Sequence, residues 1–65
     1  MEKTLADIEA DIASLRENVT KYRKLAEEHR AAHNAMIAEK LMELVVDLEA
    51  RARELEALKI KALVS

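Results

Sequence analysis

Aliphatic residues recur at steps of three and four along both halves of this chain, and no glycine or proline interrupts them. In the first half the series runs Leu5, Ile8, Ile12, Leu15, Val19, Tyr22, Ala26, His29 and His33. In the second it runs Ile37, Leu41, Leu44, Leu48, Arg51, Leu55, Leu58 and Ala62. Such spacing puts each series on one face of an α-helix and does not fit the period of two that a strand requires. An apolar helical seam must lie against another helix, so the pattern predicts an all-α protein whose first property is helix association.

The break in rhythm near His33 decides how many helices there are. The steps from His33 to Ile37 and from Ile37 to Leu41 are both four, which a single long helix in a coiled coil absorbs by local unwinding. That helix would be a rod of about 90 Å at ~1.5 Å per residue. The other solution is a two-helix antiparallel hairpin, one domain with its turn near 31–35, helix 1 over about 4–31 and helix 2 over about 35–63. Thr4 followed by Asp7 has the form of a capping box at the start of helix 1. Acids lead each half (Asp7, Glu9, Asp11; then Glu39, Glu43, Asp47) and bases close each (Arg23, Lys24, Arg30; then Lys59, Lys61), as two separate helix dipoles would have it. Folding back also pairs the seams, Leu5 with Ala62, Ile12 with Leu55, Val19 with Leu48 and Ala26 with Leu41. Asn34 is placed either to cap helix 2 or to take the left-handed conformation that ends helix 1. Acid-first pairs at four-residue spacing, Glu17–Lys21, Asp47–Arg51 and Glu49–Arg53, support the solvent side of each helix. The hairpin is therefore the expected fold.

Composition predicts that a hairpin would not stand alone. Chains of 65 residues bury a modest fraction of their surface and generally need disulfides, metal or oligomerisation, and this one has no cysteine. Tyr22 is the sole aromatic residue, so any core is aliphatic. Helix 2 carries Met42, Val45, Val46, Ala52, Ile60, Leu63 and Val64 beyond its seam, a stripe broader than a two-stranded coil uses. The expected architecture is a homo-oligomeric helical bundle, a dimeric four-helix bundle above all. Its oligomer core would comprise Leu5, Ile8, Ile12, Leu15, Val19, Tyr22, Ile37, Leu41, Leu44, Leu48, Leu55 and Leu58.

Several function classes have little to stand on. The net charge of −2 implies no polyanionic or polycationic partner. No apolar run approaches the ~20 residues of a membrane span, and the opening Met1, Glu2, Lys3, Thr4 lacks an apolar signal region, which predicts a cytoplasmic protein without a membrane partner. There is no cysteine nucleophile or glycine-rich phosphate loop, and neither Ser14 nor Ser65 has a histidine near it in sequence, so no catalytic residue and no cofactor is predicted. The leading expectation is a non-enzymatic structural or protein-interaction module that associates with itself, or with another helical protein.

Two alternatives rest on particular residues. Arg16, Arg23 and Arg30 repeat every seven positions beside the helix 1 seam, and Arg51 occupies the helix 2 seam. Guanidinium groups in a row can bind the phosphates of structured RNA or a nucleotide, while the plainer reading pairs them with carboxylates of the neighbouring helix. His29 and His33, four apart, would share a helical face and could direct metal-dependent assembly. Further ligands would be needed, and the Glu-x-x-His spacing of di-iron bundles is missing, with Ala26 and Arg30 at the two glutamate positions.

Overall fold

The computed structural model describes residues 4–64; Met1, Glu2, Lys3 and Ser65, and with them most of the N-terminal signal-region reading, lie outside the described residues. The chain forms two packed helices, α1 (Leu5–Ala31) and α2 (Ala35–Val64), and no strand among the described residues. The hairpin measures 49 × 19 × 14 Å, about half the length of the continuous rod. Thr4 is extended and caps α1 through a complete box: its Oγ1 accepts the Asp7 N–H at 3.2 Å and Asp7 Oδ2 accepts the Thr4 N–H at 3.2 Å. Asp7 thus serves as the third-position partner despite a side chain one methylene shorter than glutamate's.

The turn is made without glycine. Asn34 N–H donates to the His29 carbonyl at 2.7 Å and His33 N–H to the Arg30 carbonyl at 3.1 Å, the paired closure of a Schellman motif. This closure demands a left-handed residue two places after the last helical one, and that residue is His33, at φ 64. The left-handed conformation therefore falls on His33 rather than on Asn34. Asn34 directly precedes α2 and its carbonyl accepts the Ala38 N–H at 3.0 Å, while its side-chain Nδ2 lies 3.4 Å from His29 Nδ1. The first turn of α2 holds no acid, so the expected dipole compensation is present at α1, through Asp7, and absent at the start of α2.

The helices meet along Ile8, Ile12, Val19 and Ala26 of α1 and Ala38, Val45 and Ala52 of α2, which are all buried. For α1 this follows the sequence seam. For α2 it is displaced by one residue, because the buried column is Ala38, Val45, Ala52 and not Ile37, Leu44, Arg51, Leu58. Small side chains on this column let the helix axes approach closely, and Val45 is fully enclosed. Val19 shares a hollow with Glu49 and Ala52, and Ile12 shares one with Glu56 and Lys59.

His33→Gly is expected to raise stability against denaturant by about 1 kcal/mol, since glycine takes the left-handed conformation without a Cβ clash. Thr4→Ala is expected to lower it by about 1 kcal/mol through loss of the cap.

Candidate interaction surface

Residues seven apart in packed helices stack into columns, and the columns of this hairpin differ sharply in exposure. On one edge the joint between the helices is closed by charge. Arg16 pairs with Glu56, Arg23 Nη2 lies 2.6 Å from Glu49 Oε1, and Lys59 Nζ lies 3.7 Å from Glu9 Oε1. Met42 continues this edge towards the turn, beside Ala26 and Arg30. Glu49 is thus engaged by Arg23 of the other helix, where sequence spacing alone offered it to Arg53.

The opposite edge is open and apolar. On α2 the column Leu41, Leu48, Leu55 is half-buried, and next to it stand Ile37 at 47%, Leu44 at 48% and Leu58 at 51% exposure. Facing them across the joint, α1 offers half-buried Leu15, Tyr22 and His29, and beyond these half-buried Asp11, Asn18 and Leu25. The α2 seam read in the sequence is therefore divided: Leu41, Leu48 and Leu55 are half-buried, while Ile37, Leu44, Arg51 and Leu58 form an exposed column. Arg51 belongs to it: it is exposed, and as part of no intramolecular core it needs no buried counter-ion.

The candidate ligand sites separate on the structure. Of the four arginines, Arg16 and Arg23 are engaged by glutamates of α2, Arg30 borders a hollow with Glu39 and Glu43, and Arg51 stands on the other edge. The arginine that shares a hollow with Arg16 is Arg53, alongside Glu49 and Glu56, so that hollow carries both signs of charge. Arg16 and Arg51 are not brought together. His29 and His33 do not share a helical face either, since α1 ends at Ala31 and His33 sits in the left-handed turn. No cluster of three or more His, Cys, Asp or Glu with the arrangement of a metal site occurs among the described residues, and none of the described helices is long and apolar enough to cross a membrane. The one-residue offset between the two α2 seams was hidden in the sequence because both are apolar at heptad spacing. The signal that could have separated them is side-chain size, small on the column that packs on α1 and large on the column that does not.

Comparison with protein-family models, with curated proteins and with solved structures finds no match for this chain.

The cross-helix ion pairs join side chains that are over a third exposed, so Arg23→Ala is expected to cost no more than about 1 kcal/mol in chemical denaturation, and less at high salt.

Proposed function

We infer that this protein is a non-enzymatic self-association module, in which the open edge of one hairpin is covered by that of a second to make a four-helix bundle. The observation that carries this reading is the division of the α2 aliphatics into two columns, one buried against α1 and one exposed. Ile37 and Ala38, Leu44 and Val45, and Arg51 and Ala52 are sequence neighbours, so the two columns stand roughly 100° apart around the helix axis. That is close to the angle at which a helix at the corner of a square bundle meets its two neighbours. The half-buried Leu41, Leu48 and Leu55 lie between the columns and would point into the centre of such a bundle, opposite Leu15 and Tyr22. A row of large exposed aliphatics on one helix edge, here Ile37, Leu44 and Leu58 with Arg51 among them, marks an association surface more than scattered single hydrophobes do.

The test is solution mass by light scattering. The wild-type chain of 7.4 kDa is expected to run as a dimer or larger assembly. Leu44→Glu, which places a charge in the exposed column, is expected to reduce it to a monomer. A wild-type monomer at high concentration would overturn the reading.

A further inference from the structure

We propose that the second hairpin docks beside the first with its turn at the same end, so that each α2 packs antiparallel against the partner's α1. This rests on the self-association reading and adds the orientation of the partner. Exposed charged columns border the open edge on both helices, and Arg51 and Asn18 stand within it.

Bordering the exposed aliphatics of α2 is a column of Lys40, Asp47, Glu54 and Lys61, all exposed. Bordering the open edge of α1 is a column of Asp7, Ser14, Lys21 and Glu28, also exposed. Within the hairpin, facing charged residues have numbers that add to 68–72: Glu9 with Lys59, Arg16 with Glu56, Arg23 with Glu49. A partner with its turn at the same end presents its α1 to this α2 in the same sense and at the same level, so the same rule applies across the new joint. Lys61 then faces the partner's Asp7, Asp47 faces the partner's Lys21, and Lys40 faces the partner's Glu28. The remaining pair, Glu54 with the partner's Ser14, has a single charge. Three of four facing pairs are opposite in sign, and two-fold symmetry repeats each of them.

The inner columns agree at the same level. Leu44 meets the partner's Leu25, and Arg51 meets the partner's Asn18, whose amide oxygen accepts hydrogen bonds from a guanidinium. Arg51 and Asn18 thus fall together in one layer, a device that fixes register in helical bundles, while half-buried Asp11 of the same α1 column comes level with the partner's Leu58.

A partner with its turn at the opposite end gives the reverse result. α2 then packs against the partner's α2, and at full overlap Lys40 faces the partner's Lys61 while Asp47 faces the partner's Glu54. α1 against α1 sets Asp7 near the partner's Glu28. Like charges directly opposed across a joint disfavour that arrangement.

The chain has no cysteine, so single-cysteine variants label cleanly. With a nitroxide on Ala35→Cys, beside the turn, the proposal expects a distance between labels below about 30 Å, which is the diagonal of a bundle with helices ~10 Å apart plus two label arms. Opposed turns would separate the labels by nearly the 49 Å length of the hairpin. Charge reversal gives an independent readout of opposite sign. Asp47→Lys is expected to weaken the dimer about fivefold or more by opposing the partner's Lys21, and Lys21→Glu in the same chain to restore it. In the opposed arrangement Asp47→Lys would instead strengthen the dimer by relieving the repulsion with Glu54. A wild-type dimer with distant labels, or one tightened by Asp47→Lys, overturns the orientation alone; a wild-type monomer overturns self-association itself.

Discussion

Two helices can bury only the strip along which they touch, and that limit governs everything else in this chain. The strip here consists of seven apolar side chains, three of them alanine, with no aromatic residue among them. A core so thin removes little apolar surface from water, and the conformational entropy of ordering some sixty residues stands against it. Ile8 and Ile12 of α1 lie within that strip, but α2 places its leucines outside it. Leu41, Leu44, Leu48, Leu55 and Leu58 are only half-buried or exposed while alanines occupy the joint. Size and burial are thus matched in the wrong order for a free-standing hairpin and in the right order for a bundle, in which the leucines would meet at the centre.

The same division explains the charges. On the edge closed by Arg16–Glu56, Arg23–Glu49 and Lys59–Glu9, the ion pairs orient one helix on the other while contributing little net stability. On the other edge the flanking charges of α2, Lys40, Asp47, Glu54 and Lys61, stand outside a row of exposed aliphatics. Charges at these flanking positions select partners and registers more than they add affinity. Two of the three members of the α1 arginine stripe, Arg16 and Arg23, take part in joining the hairpin's own helices.

Much of the fold could be read from sequence because periodicity and capping are local signals. The α1 seam, the Thr4–Asp7 box and the turn after residue 31 follow from residue type and spacing alone. What could not be read depended on the tertiary choice between equivalent columns. Ile37, Leu44 and Leu58 satisfy a heptad as well as Ala38, Val45 and Ala52 do, and only the close approach of the helices gives the inner place to the smaller set. Arg51 looked like a buried charge in a seam for the same reason. His33 was legible as a seam position and as half of a metal pair. Its left-handed conformation comes from the hydrogen bonding of the helix end, which overrides side-chain preference where no glycine is supplied.

The central claim, that the hairpin's stability is shared with a second copy through the open edge, is tested most directly by the thermal midpoint as a function of protein concentration. Folding linked to association makes the midpoint climb steadily over about three decades of chain concentration. A midpoint that stays fixed over that range, with a single cooperative transition, would show that the two helices are sufficient by themselves and would contradict the account.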